Sequence, residues 1–93
     1  RVIVAEPVAA YAYRIVRETR EHRDVALGVS PRAALSWLHA GRARALLDGR
    51  SYVLPDDLKA LAQPVLGHRV FLKGGGNAAA IVAAILARVP VEL

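Results

Sequence analysis

The residues best placed to do chemistry in this chain stand in GVSPRAAL, residues 28–35. Ser30 followed by Pro31 has the makings of a helix start. The hydroxyl can accept an orphan backbone N–H, and proline at the next position lacks only a donor that the helix does not use. Arg32 then falls in the first turn, where the helix dipole is positive and acidic side chains are the favoured company. A cation there either swings away into solvent or meets an anion. The second arrangement is chemically sound. Exposed amides at a dipole end attract an anion, and a planar guanidinium beside them adds charge-assisted hydrogen bonds.

Other reactive residue types do not assemble into a self-contained active site. His22, His39 and His68 show no i,i+4 pair and no neighbouring carboxylate set, so no metal site is expected. Ser30 has no base partner in the sequence and serves better as a cap. Asp56 and Asp57 follow Pro55 and suit the first turn of a helix by polarity. Gly74–Gly76 lacks the spacing of a phosphate loop and has Lys73 before it, which reads as a hinge. Arg14, Arg17, Arg20 and Arg23 recur every third residue and could form a basic band, so a small basic helical DNA-binding domain is the alternative function. Against it, a helix-turn-helix needs a turn of about 3–4 residues. Here Gly49–Leu54 intervenes between the second and third helices, and Trp37 sits among apolar neighbours as a core residue.

These residues must be positioned by a small domain. Ninety-three residues suffice for one compact unit, 1–93, with a modest core. Hydrophobic residues make up 55% and aromatics 5%, with alanine dominant, which favours closely packed helices over a β-sandwich. Thirteen Lys and Arg against eight Asp and Glu give a net charge of +5, and eleven of the cations are arginine, the residue suited to planar oxyanions. Absence of cysteine removes disulfides and thiolate metal sites. The longest apolar run, AAAIVAAILA at 78–87, is shorter than the roughly 17–25 residues of a membrane span. No secretory pattern opens the chain, and a cytoplasmic location is expected. The start on Arg1 is expected to reflect a segment of a longer protein.

The apolar periodicity predicts four helices, over 8–23, 31–48, 55–65 and 78–88, after an extended lead-in at 1–7 ended by Pro7. Arg14–Glu18 and Arg17–Glu21, each four apart, are expected to pair on the surface of the first helix. The second helix is apolar nearly all round and is expected to be the one the others pack around, with close contact at Gly41 and a cap at Gly49. SYVL at 51–54 and HRVFL at 68–72 are β-like and are expected to pair as a minimal ribbon, with Arg50, His68 and Arg69 at its junctions. Pro64 limits the third helix near its end, and Asn77 can cap the fourth.

In order and spacing, YAYRIVRETR followed by LGVSPRAALSWLHAGRARALLDGRSYVLPDDLKALAQPVLGHRV resembles the C-terminal lid domain of MoxR-family AAA+ ATPases. The likeness runs over about residues 4–91, through a Thr-Arg pair, Gly-x-Ser-Pro-Arg, Gly-Arg-x-Tyr-Val-x-Pro-Asp-Asp and Val-Leu-x-His-Arg, and ILARVPVEL resembles the family's usual end. The resemblance implies an all-α, four-helix AAA+ lid with a two-stranded ribbon. It gives Arg32 the role of sensor 2, reaching ATP phosphates held by a separate nucleotide-binding module. Pro31 and Ala33 would flank the nucleotide, and Tyr11 would lie near adenine, although its helical spacing also suits the core.

The family further implies ATP and Mg²⁺ in the full protein, an ATP hydrolase whose isolated lid is not catalytic, and hexameric rings of neighbouring subunits. Chaperone-like remodelling and von Willebrand factor A domain partners belong to the same implication. Neither membrane nor nucleic acid is expected as a partner. Two departures stand out. Leu54 occupies a position where the family often has a hydroxyl, and LKGGGNAA is shorter and richer in glycine than usual. The resemblance assigns no role to Thr19 and Arg20; an inter-helix or inter-subunit contact is the expectation.

Overall fold

The computed structural model describes residues 1–76 and 78–91. Asn77, the expected cap, and the last two residues of ILARVPVEL lie outside them. Helix α1 spans Glu6–Glu21, α2 Pro31–Leu47, α3 Pro55–Leu66 and α4 Ala78–Arg88. Strands β1, Val25–Leu27, and β2, Phe71–Leu72, form a two-stranded antiparallel sheet. The architecture is mostly helical with a minimal ribbon, as expected, but several local details differ.

Pro7 opens α1 instead of ending the lead-in, because a first-turn proline has its φ preset and needs no donor, and Glu6 suits the dipole there. Val8, Tyr11, Ala12, Ile15 and Thr19 form the buried stripe of α1. Two of its charged residues reach beyond the helix. Glu18 pairs with Arg88 of α4, and Arg14 donates to the carbonyl of Pro90. Arg17 lies 5.7 Å from the centre of the Tyr13 ring, and no ion pair among the described residues joins it to Glu21. The basic band is thereby divided among different neighbours. Arg20 donates through Nε to a loop carbonyl.

Helix α2 buries Ala33, Trp37, Gly41 and Ala45, a stripe at every fourth residue. Small side chains on this stripe let α3 approach. A Cβ at Gly41 would stand 3.0 Å from Leu58 Cδ2 and 3.4 Å from Val53 Cγ1, so the close contact expected there is present. Trp37 is wholly buried, and its indole N–H donates to the Leu58 carbonyl at 2.9 Å. The helix is nevertheless not buried on all sides. Leu35, Leu46 and Leu47 are exposed, Leu47 by 90%. Its apolar content is divided between a narrow packed stripe and an outer face. Beyond Asp48, Gly49 takes φ 76°, with Gly49 N–H to Leu46 O at 3.0 Å and Arg50 N–H to Ala45 O at 2.9 Å. This is a Schellman end, which uses glycine because the left-handed conformation crowds a Cβ.

SYVL and HRVFL do not pair with each other. Val25 faces Leu72 and Leu27 faces Phe71, with an irregularity between them. Tyr52 instead forms a parallel bridge to Ile3 of the lead-in, with Ile3 N–H to Ser51 O and Val53 N–H to Ile3 O both at 3.0 Å. Helix α3 runs through Pro64 to Leu66 and tightens into a 3-10 turn, Gly67–Arg69, which delivers β2 beside the loop leaving α1. Both β-like runs are therefore paired, SYVL with the extended lead-in and HRVFL with the loop after α1.

At the start of α3 the expected helix-polarity role holds for exposed Asp56 but understates Asp57, which is 1% exposed. Its carboxylate accepts from both terminal nitrogens of Arg50, at 2.8 and 2.7 Å, from Arg44 Nε at 3.2 Å and from Leu54 N–H at 2.7 Å. Arg50 hydrogen bonding holds its carboxyl below the usual aspartate range against burial, which acts the other way. Arg50 thus ties the turn after α2 to the start of α3, and it also donates to the Tyr52 carbonyl in SYVL at 3.0 Å. Among the described residues no helix is long and apolar enough to cross a membrane.

Candidate functional site

Ser30 has the extended backbone of an N-cap, φ −75° and ψ 162°, and its Oγ accepts from Ala33 N–H at 3.1 Å. Ala34 N–H bonds to the Ser30 carbonyl at 2.9 Å. Pro31 follows as the first helical residue, and Arg32 stands next, exposed, in a first turn without any acid. Among the described residues its guanidinium has neither an ion pair nor a hydrogen bond. This contrasts with Arg14, Arg20, Arg44, Arg50 and Arg88, all engaged within the domain.

The flanking residues divide by side. Pro31 is exposed and lines an open cleft of about 540 Å³ together with Arg20, Leu27, His68, Arg69 and Phe71. The residues lining it include cations and no carboxylate. His68 and Arg69, expected at a ribbon junction, face this cleft from the 3-10 turn before β2. Ala33 turns inward and is buried, with its N–H taken by Ser30. Tyr11 is wholly buried in the core, where burial pushes its hydroxyl pKa up and the oxygen has no hydrogen-bond partner among the described residues. Helical spacing had pointed to the core for Tyr11, and that is where it lies.

The sequence left one part of this site unread. Val29, wholly buried, precedes the Ser30 cap, and both its backbone polar groups are held by consecutive side chains at the end of α1. Its N–H donates to Thr19 Oγ1 at 3.1 Å, and its carbonyl accepts from Arg20 Nε at 2.9 Å. Thr19 Oγ1 in turn donates to Val16 O at 2.7 Å. Gly28 makes the approach possible. A Cβ there would lie 2.8 Å from Arg20 Cα and 2.9 Å from both Arg20 N and Thr19 C. The signal available in the sequence was a polar pair closing a helix nine to ten residues before a glycine-led cap. A local reading cannot turn that spacing into a contact.

Chemically, the helix start offers a free planar cation, a positive dipole end and a neighbouring basic cleft, which together suit an oxyanion such as a phosphate. Among the described residues there is no group of three or more His, Cys, Asp or Glu that could hold a metal ion.

The AAA lid domain family matches residues 17–87, which include Thr19, Arg20 and the Ser30–Arg32 start. The chain is 42% identical over 93 residues to the uncharacterized protein YeaC of Bacillus subtilis, covering 95% of this chain and 29% of that protein. It is 39% identical over 71 residues to the chaperone MoxR1 of Mycobacterium tuberculosis, 67% of this chain and 19% of that one. Identity to the protein MoxR of Paracoccus denitrificans is 51% over 45 residues, 48% of this chain and 13% of MoxR. The crystal structure of a candidate ATPase from Cytophaga hutchinsonii matches with a TM-score of 0.90 at 28% identity, over 99% of this chain and 32% of that one. The chain thus spans less than a third of the length of these proteins. Sequence order, helix arrangement and these matches agree: the chain belongs to the AAA lid domain family, as the C-terminal lid of a MoxR-family AAA+ ATPase.

Proposed function

We propose that this lid closes over ATP held by the nucleotide-binding module of the same protein, and that Arg32 is its sensor 2 residue. The observation that carries this is an exposed arginine in the first turn of α2, without an internal partner among the described residues, beside a capped and dipole-positive helix end. Phosphoryl transfer leaves a protein mainly positioning and charge neutralisation to perform. A lid guanidinium meeting the phosphates does both and makes closure depend on which nucleotide is bound. Arg32 and the α2 start bind and orient the anion, while Mg²⁺ and the attacking water belong to residues outside this lid.

In the same reading the lid works within a cytoplasmic ring, a hexamer of neighbouring subunits, that converts ATP turnover into chaperone-like remodelling of partner proteins. Von Willebrand factor A domain proteins are among the expected partners. The support for this wider part is the likeness to the chaperone MoxR1. In the full-length protein, Arg32→Ala is expected to lower ATP hydrolysis about 10- to 100-fold, the worth of one charged hydrogen-bonding interaction, with the lid still folded. Normal hydrolysis and normal nucleotide affinity in that variant would sink the assignment.

A further inference from the structure

We infer that Thr19 and Arg20 are positioning residues for Arg32, acting through the backbone of Val29. The inference rests on the reading of Arg32 as a phosphate-contacting residue and extends it to the end of α1, outside the first turn of α2. Val29 is held at both of its polar backbone atoms, the N–H by Thr19 Oγ1 and the carbonyl by Arg20 Nε. The threonine hydroxyl can serve only one way round. It gives its hydrogen to Val16 O, so its lone pairs are left for the Val29 amide. Gly28 brings this loop into backbone contact with residues 19 and 20, at separations no side chain would permit.

Little freedom remains between this clamp and Arg32. Ser30 is fixed by its own cap to Ala33, and Pro31 has φ locked by its ring. The direction in which α2 starts, and so the point from which the Arg32 side chain departs, is set three residues after a doubly hydrogen-bonded anchor. Loss of either bond frees the anchor by an ångström or so. A displacement of about 1 Å in a group that stabilises a transition state can cost about 100-fold in rate. Threonines inside helices commonly bond back to the preceding turn. Here the second bond, to a wholly buried amide ten residues away, turns that local habit into a tie between α1 and the α2 start.

The test uses the full-length ATPase, measuring kcat, KM for ATP and thermal stability for Thr19→Val, Thr19→Ser, Arg20→Met and Arg32→Ala, alone and combined. Thr19→Val and Arg20→Met are each expected to lower kcat about tenfold, while Thr19→Ser, which keeps the hydroxyl, retains the rate. Combined with Arg32→Ala, either change is expected to add almost nothing, since both act through the same guanidinium. If Thr19→Val does not fold, Arg20→Met, a change to an exposed side chain, carries the test. Two results overturn the inference while leaving the sensor assignment intact. One is a damaging Arg32→Ala beside Thr19→Val and Arg20→Met variants with unchanged kcat and KM. The other is an Arg20→Met loss equally large in the Arg32→Ala background, which marks direct contact of Arg20 with the nucleotide. An Arg32→Ala variant with wild-type kinetics overturns the sensor reading itself, and the inference with it.

Discussion

Arg32 and Asp57 show how the same physics produces opposite outcomes for a charged side chain. Arg32 stands exposed at a helix end of its own sign. Asp57 is buried, surrounded by Arg50, Arg44 and the Leu54 amide, and belongs wholly to the domain. Asp57→Ala removes the partner of a buried pair and should cost about 3 kcal/mol in chemical denaturation, with nucleotide chemistry untouched. The pH dependence follows from the sign of its shift. Because the folded carboxyl titrates below the unfolded value of about 3.9, the contribution is complete above that pH and drains away as pH falls toward the depressed folded value. Acid unfolding followed by circular dichroism should therefore show a stability loss that begins below about pH 4 and is weakened in the Asp57→Ala variant. Tyr11 supplies a contrasting case. Its buried hydroxyl has no partner among the described residues, so Tyr11→Phe should leave stability unchanged or slightly raised, and ATP affinity unchanged. A drop in ATP affinity would instead give that hydroxyl a ligand.

Among the elements, α2 and α3 start differently, and the difference is legible in one residue each. Ser30 caps α2 with its hydroxyl, whereas Leu54 has no oxygen to offer α3. Half a capping box remains, since Asp57 still receives the Leu54 N–H. Leu54→Thr should complete it and raise the stability of the domain by about 1 kcal/mol, read as a higher midpoint in denaturant. Such starts and stops were readable because they are made by residues a few positions apart: Ser30 with Ala33, Gly49 with Leu46, Arg50 with Ala45, Pro55 opening α3. Strand partners were not. SYVL and HRVFL carry the visible β signal, yet Tyr52 joins Ile3 and Phe71 joins Leu27, pairings fixed by where the helices deliver each segment. The exposure of Leu46 and Leu47 was hidden for a related reason. Apolar content says how much of a helix can be buried, and only packing against Leu58 and Val53 selects which side is. At the site, the Ser30–Arg32 start was legible as local chemistry, but the Thr19–Arg20 anchor depends on Gly28 meeting another helix backbone.

On the scale of the whole molecule, the domain reads as a rigid carrier for the exposed cation at the α2 start. The core under α1, α2 and α3 centres on Trp37, Tyr11, Ile15 and Leu58, all wholly buried, and the α2 start is tied to α1 through Val29. A lid so constructed should move as a unit, and on the proposed reading Arg32 is its point of contact with ATP. Its lack of cysteine means that one introduced cysteine marks a single position within the lid. The most direct measurement is the distance between a probe at exposed Ala83, introduced as Ala83→Cys on α4, and a second probe on the nucleotide-binding module. In the full-length protein that distance is expected to shorten on addition of a non-hydrolysable ATP analogue, and to stay at its nucleotide-free value in the Arg32→Ala variant. Identical shortening with and without Arg32 would contradict the account.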